Sequence, residues 1–292
     1  MNSVASRLSI LGISLILMSL IFPAAGEAKI KREDVVAMWL LDEIEDKVKG
    51  RLGEDIVKDA TGNGHDGVLK NKSKHVDGKF GKALKFNGKK NLAARASYME
   101  VLHHEQLQFP DAVSICAWVI RRKFDFFVHN ATPQMILGKN SDWPYLRVNT
   151  GFGIGLHEIL DHMFFFYSEL GWRGAATVPD EEWHHYAAVA RQGDKDPNLY
   201  IDGELQPILH RGGDNKDRKL TWNDIVGDLH IGAILVGDEF FSENTIDEVA
   251  IFNKALAEDD VKRVMDGLER AVFAVSPSAK LATTWAEIKQ SR

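Results

Sequence analysis

The segment Glu182-Trp183-His184-His185-Tyr186-Ala187-Ala188-Val189-Ala190, "EWHHYAAVA", decides the fold. It is followed at a short distance by Leu199-Tyr200-Ile201-Asp202-Gly203, "LYIDG". Side chains alternate between the two faces of a strand. Trp183, His185, Ala187 and Val189 therefore share one face, and His184, Tyr186, Ala188 and Ala190 the other. The adjacent histidines point in opposite directions and cannot chelate one ion side by side. The expected role of a histidine beside a core tryptophan is structural. Asp202-Gly203 is a strong tight-turn signal, so the two segments read as neighbouring antiparallel strands.

Period-two patterning continues on both sides. Strand candidates are Val35–Leu41, Ala83–Asn87, Tyr98–Val101, Val113–Ile120, Gln134–Gly138, Phe152–Leu156, Met163–Tyr167, Leu229–Gly232 and Ile246–Phe252. Short strands between Gly, Asn and Asp turns predict an all-β, two-sheet antiparallel sandwich. No strand–helix alternation supports a parallel sheet, and no internal repeat is present. One helix closes the domain. Ala257-Glu258-Asp259-Asp260 places acidic residues at its start, where the helix dipole favours them. Val261, Val264, Met265 and Leu268 then recur at helical spacing, with Gly267 weakening the last turn.

Arg7, the uncharged run Leu8–Phe22 and the small-residue stretch "PAAGEA" match a secretory signal peptide, cleaved after Gly26 or Ala28; the other reading is an uncleaved N-terminal anchor. The run is shorter than a spanning helix requires. The expected organisation is residues 1–28 signal, 29–270 one sandwich domain and 271–292 a tail. The tail places Leu281, Trp285 and Ile288 at helical spacing. Cys116 is the single cysteine, so no intramolecular disulfide exists; within "VSICAWV" it reads as a buried thiol. Net charge is -6 with signs mixed. That composition offers no basic stripe for nucleic acid, and no membrane span is expected once the signal is removed.

"EWHHYAAVA" followed by "LYIDG" resembles the paired strands of laminin G-like domains, within the concanavalin A-like lectin and glucanase superfamily. "MWLLDE" at 38–43, "KDATGNGHDGVL" at 58–69, "GKFGKALKFNG" at 78–88, "VSICAWV" at 113–119 and "NTIDEVAIFNKALAEDDV" at 244–261 resemble its other segments in the same order. The resemblance covers roughly residues 33–268. It implies a jelly-roll sandwich with a short C-terminal helix, in a secreted or cell-surface protein that binds glycans or proteins. It also implies a structural calcium ion, held by Asp247, the carbonyl of Gly88 and the region of Asp42, with Asp59 a looser addition. Calcium needs six to eight oxygens. The other reading of the loop is that Asp59, Asn63 and Asp66 cap their own turns.

Other motifs are weaker. The superfamily's hydrolases carry their carboxylates as Glu-x-Asp-x-(x)-Glu, and that spacing is absent; Glu243, Asp247 and Glu248 do not reproduce it. "HEILDH", His157–His162, resembles a zinc signature, but its second histidine is one residue too far. It reads as an irregular connection between strands. Trp143, Tyr145, Trp172 and Trp222 fall in or near expected loops, with Arg147 and Arg173 close in sequence. They are the candidate ligand contacts: exposed rings stack on sugar faces, and arginines hydrogen-bond acidic sugars; the other reading is that the rings anchor their loops in the core and the arginines are solvated. Arg121–Pro133 and Glu204–Val226 are the expected exposed loops. Asn71-Lys72-Ser73 and Asn130-Ala131-Thr132 fit the glycosylation sequon. Three functions follow: a non-catalytic binding domain, a glycan-degrading enzyme with an unfamiliar site, or a structural or adhesive surface protein.

Overall fold

A computed structural model describes residues 30–45, 55–71, 73–88, 96–122, 134–140, 151–157, 162–167, 170–177, 179–212, 219–220, 225–234 and 240–273. The compact unit that holds them runs Ala28–Ala274. Residues 1–29 and 274–292 lie outside the described residues.

The strands are β1 (Val35–Trp39), β2 (Ile56–Val57), β3 (Gly67–Lys70), β4 (Lys74–Asp77), β5 (Lys82–Lys85), β6 (Tyr98–Val101), β7 (Ala112–Ile120), β8 (Gln134–Asn140), β9 (Gly151–His157) and β10 (His162–Tyr167). They continue as β11 (Leu170–Thr177), β12 (Trp183–Arg191), β13 (Asn198–Ile201), β14 (Glu204–Gln206), β15 (Ile208–Gly212), β16 (Leu229–Ile231), β17 (Ala233–Ile234), β18 (Phe240–Phe241) and β19 (Thr245–Phe252). An eight-stranded sheet runs β14-β13-β12-β7-β19-β5-β4, with β1 also on β19; a nine-stranded sheet runs β15-β11-β10-β9-β8-β16-β6-β3-β2. All pairings are antiparallel, and the two sheets form the expected jelly-roll sandwich.

The histidine-bearing strand β12 lies deep in the eight-stranded sheet. Trp183–Arg191 pairs along its whole length with Ala112–Ile120. Tyr186, Ala188 and Ala190 face the core between the sheets. Ala187 and Val189 face outward, into a second core beneath the C-terminal helices α1 (Glu258–Met265) and α2 (Leu268–Phe273). Both faces of β12 are therefore buried, which is why its sequence is apolar at successive positions. The thiol of Cys116 lies in that second core, fully buried, and burial pushes its pKa up. Gly267, at φ +119°, separates the two helices.

The histidines are part of the wall. His184 Nδ1 lies 2.7 Å from Asp202 Oδ2, while Asp202 Oδ1 accepts the backbone N–H of His185 at 2.9 Å. The His185 ring points the other way, against Trp118 at 5.5 Å between centroids. Asp202 and Gly203 both take positive φ, 51° and 77°, between the paired residues Ile201 and Glu204. That is the geometry of a two-residue hairpin turn whose twist matches its strands.

Two expectations are corrected. Glu204–Val226 is not one loop: Glu204–Gln206 and Ile208–Gly212 are strands, one at the edge of each sheet. Leu170–Thr177, "LGWRGAAT", is also a strand, paired on both sides. Its two glycines hid the strand pattern. Of the other expected loop, residues 123–133 lie outside the described residues.

Candidate ligand-binding face

The nine-stranded sheet turns one face to the core, through Leu69, Met99, Val101, Leu137, Ile154, Leu156, Phe165 and Trp172 among others. Cross-strand partners share a face, so the register assigns the opposite face as well. Lys70, Tyr98, Glu100 and His230 occupy it at one end, and His157, His162, Phe164, Phe166, Arg173 and His210 at the other. The short β17–β18 hairpin lies between them over β8: Ile234 clusters with Met135 and Phe166. Gly138 permits this approach, since a Cβ there would lie 2.8 Å from Ile234 Cβ.

The strands of this sheet carry one carboxylate, Glu100, against Lys70, Lys139, Arg173, Arg211 and four histidines. In a chain of net charge -6 that is a local excess of positive charge. Glu100 is engaged: Lys70 Nζ lies 3.0 Å from Oε2, and His230 Nε2 lies 3.8 Å from Oε1. His230 and Lys70, acting against partial burial, hold the Glu100 carboxyl well below its ordinary value. Beside this group a groove of about 550 Å³ is lined by Ile56, His65, Val68, Leu102, His103 and His104, with Leu102 half exposed.

Lys139 is a residue that sequence reading missed. Its chain is fully buried at the end of β8, and Nζ lies 2.8 Å from both His103 Nδ1 and the Gly227 carbonyl. Burial, opposed by nearby Asp228, brings its pKa down to about 8. The lysine ties His103, which lines the groove, to the segment at Gly227. Nothing in "ILGKN" signals this, because the partners come from residues 103 and 227.

The opposite end is aromatic and basic. Phe164 pairs with Gly155 on one side and Arg173 on the other, and Phe166 pairs with Gly153. The rings lie over those glycines, stacked with centroids 6.4 Å apart and 24° between planes. A Cβ at Gly155 would sit 2.7 Å from the Phe164 ring, and one at Gly153 2.7 Å from the Phe166 ring. The alternate glycines of β9 thus let two phenylalanines lie flat. His157 and His162, the two ends of "HEILDH", are directly opposed across β9 and β10, and residues 158–161 lie outside the described residues. Burial first, then Arg173 and His162, lower the pKa of His157, and its Nδ1 is buried without a hydrogen bond.

The candidate ligand contacts fare differently. Arg173 stands partly exposed on this face. Trp172, its neighbour, points the other way into the core, 2 % exposed, and its Nε1–H donates to Asp196 Oδ1 at 3.0 Å. The same carboxylate pairs with Arg211. No ring face is left for a sugar, so Trp172 is an anchor and not a contact. Trp143, Tyr145, Arg147 and Trp222 lie outside the described residues.

The four expected calcium ligands do not converge. Asp59 caps its own loop: Oδ1 accepts from the N–H groups of Met38 and Thr61 and from Thr61 Oγ1, and Oδ2 from the His65 N–H. Gly88 follows Phe86, whose N–H bonds the Asn244 carbonyl, whereas Asp247 lies on the other side of Thr245 along β19. Asp42 and Asp247 do approach one segment. Asp42 Oδ1 accepts from the Lys82 N–H at 2.7 Å and Asp247 Oδ2 from the Phe80 N–H at 3.0 Å. Glu248 joins them. It sits in a bulge of β19 at φ 50°, its Oε2 accepting from the Leu268 N–H at 2.6 Å. Burial, with the charges of Asp42 and Glu269 adding to it, pushes Glu248 up to about 7; burial and then Glu248 push Asp247 to about 7. Among the described residues no group of three or more His, Cys, Asp or Glu side chains is arranged to hold a metal ion.

Comparison with known proteins agrees with this fold. No curated protein sequence matches the chain. Among solved structures, the binding domain of Paraclostridial Mosquitocidal Protein 1 is similar at TM-score 0.55 and 18% identity, over 81% of this chain and 53% of that one. Domain 4 of AbnA, a GH43 extracellular arabinanase from Geobacillus stearothermophilus, solved with arabinotriose, is similar at TM-score 0.53 and 19% identity, over 78% and 97%. Trypanosoma rangeli sialidase in complex with sialic acid is similar at 0.54 and 15%, over 82% and 34%. The chain thus spans about half of the first and a third of the last. At these identities the likeness is one of fold. In sequence, the family model of the concanavalin A-like lectin/glucanases superfamily matches residues 94–262, more than half the chain, and the chain belongs to that superfamily.

Proposed function

We propose that the protein is a secreted or surface-exposed, non-catalytic binding domain whose ligand, a glycan or a protein, seats on the outer face of the nine-stranded sheet. The observation that carries this is the make-up of that face. The β17–β18 hairpin lies between a groove lined by Lys70, Glu100, Asp66 and three histidines and a surface of aromatic rings beside Arg173. Glycoside hydrolysis by the usual route needs two carboxylates flanking the bond. The groove is lined by Glu100 and Asp66, and each is engaged by a lysine, Lys70 on Glu100 and Lys58 on Asp66. Asp247 and Glu248 lie on the other sheet and bond backbone N–H groups. Secretion rests on the N-terminal apolar segment. The binding role is supported by structural neighbours that are binding domains of toxins or a domain that holds an oligosaccharide. Calcium has no part in the proposal, because the four oxygens expected to hold it do not meet.

The test is a glycan-array screen of the chain lacking residues 1–28, followed by incubation of retained glycans with the protein. Retention without release of shorter products is expected. Release of new reducing ends would move the chain to the enzymes, and a blank array with capture of a protein receptor would leave only the protein-ligand form.

A further inference from the structure

We infer that the β9–β15 half of the outer face recognises an acidic sugar, with the pyranose ring on Phe164 and its carboxylate or sulfate on Arg173 and the His157–His162 pair. This rests on the binding reading above and specifies its ligand. Three independent features of the face point the same way.

The first is the aromatic floor. An aromatic ring lying flat offers its face to the C–H bonds of a sugar. Phe164 remains partly exposed, whereas Phe166 is covered by Met135 and Ile234. The floor exists only because Gly153 and Gly155 lack side chains.

The second is the position of the cation. Arg173 is the direct cross-strand partner of Phe164, which sets their Cβ atoms about 5 Å apart. A pyranose resting on Phe164 brings an anionic substituent within reach of a planar guanidinium, whose fork matches carboxylate or sulfate. A neutral sugar offers the guanidinium only hydroxyl acceptors, whereas an anionic one also meets its charge.

The third is the surrounding charge. His157 on β9, His162 on β10 and His210 on β15 share the face with Arg173; the strands β9, β10, β11 and β15 contain no Asp or Glu, while Glu158 and Asp161, which adjoin the histidine pair in sequence, lie outside the described residues. The one carboxylate of the sheet lies beyond the hairpin, engaged by Lys70. A half-face with one arginine and three imidazoles lacks the many phosphate contacts that sustain nucleic-acid binding, and the chain's net charge of -6 opposes a polyanion. A single acidic residue within a glycan suits it better. Because an anion favours charged imidazole, binding tightens as pH falls; His157, whose pKa is lowered by burial, Arg173 and His162, gains its proton only below the ordinary range.

The experiment is titration calorimetry of the chain lacking residues 1–28 with three oligosaccharide sets of equal length: uronic or sialic acid-bearing, sulfated, and neutral. The same titrations use Arg173→Gln and Phe164→Ala, with melting curves to show that both variants fold. Preference for either acidic set, an affinity loss of at least tenfold in Arg173→Gln, and tighter binding at pH 5.5 than at pH 7.5 are expected. Which acidic set wins tells carboxylate from sulfate. Equal binding of neutral sugars, unchanged in Arg173→Gln, would overturn this inference and leave the glycan-binding reading intact. Competition by a mixed-sequence RNA as strong as by the acidic sugars would also overturn it. Absence of binding to all three sets at millimolar concentration would remove the glycan reading itself.

Discussion

Glu248→Gln should make the protein more stable at neutral pH. Glu248 is 5 % exposed, at a bulge of β19 near Asp42 and Asp247. Its pKa rises from 4.5 to about 7 in the fold. A carboxyl raised in this way is neutral in the folded chain while its unfolded counterpart has ionised. The unfolded state then binds fewer protons, so stability falls as pH rises from about 4.5 to about 7 and stays low above that. A tenfold change in a proton-binding constant corresponds to about 1.4 kcal/mol, which sets a ceiling of ~3 kcal/mol for this rise. Part of the penalty is shared with the coupled Asp247, so a gain of about 2 kcal/mol at pH 8 is expected. Glutamine keeps an oxygen for the Leu268 N–H, a bond of 2.6 Å in the parent. Denaturant melts of parent and variant at pH 4, 6 and 8, with chelator present, measure the difference directly. At pH 4 the two curves should nearly coincide. A variant less stable than the parent at pH 8 would refute the account, because it would mean that the charge is favourably held. So would a calcium-induced rise in melting temperature that the parent shows and the variant loses, since a cation among Asp42, Asp247 and Glu248 would turn the repulsion into attraction.

His185 is the counterpart on the acid side. Burial lowers its pKa to about 4 and both ring nitrogens lack partners, so its contribution is complete above the ordinary value of 6.5 and is lost as pH falls toward 4; His185→Phe should remove roughly 2–3 kcal/mol of that acid sensitivity in equilibrium unfolding. Trp172→Ala should cost about 3–5 kcal/mol in denaturant melts, the range for emptying a buried tryptophan site, since Trp172 is a core anchor hydrogen-bonded to Asp196; a loss of glycan affinity with stability unchanged would contradict that placement. Cys116 should react with a thiol reagent only at the rate of unfolding, because it is fully buried beneath α1 and α2; rapid labelling under native conditions would show that the helices do not cover it.

Alternation alone determined much of this protein. The period-two pattern and the Asp202-Gly203 turn were enough to name the central strands, their antiparallel sense and the opposite aim of His184 and His185, because strand geometry is local and the side-chain period is two. The apolar setting of Cys116 predicted its burial for the same reason. What depends on distance along the chain was not legible. Leu170–Thr177 reads as a glycine-broken loop, yet it is a strand because β10 and β15 flank it, and that pairing turns Trp172 inward and Arg173 outward. Asp59 read either as a loose calcium ligand or as a cap of its own turn, and the fold decides for the cap, with its oxygens taken by Met38, Thr61 and His65. Phe164 and Arg173 are nine residues apart in sequence, and Gly155 nine residues before Phe164; only antiparallel register makes them one surface. Local sequence sets which way each side chain points along its own strand, but the residue opposite it is set by the register between strands, and that register places charge, ring and glycine side by side.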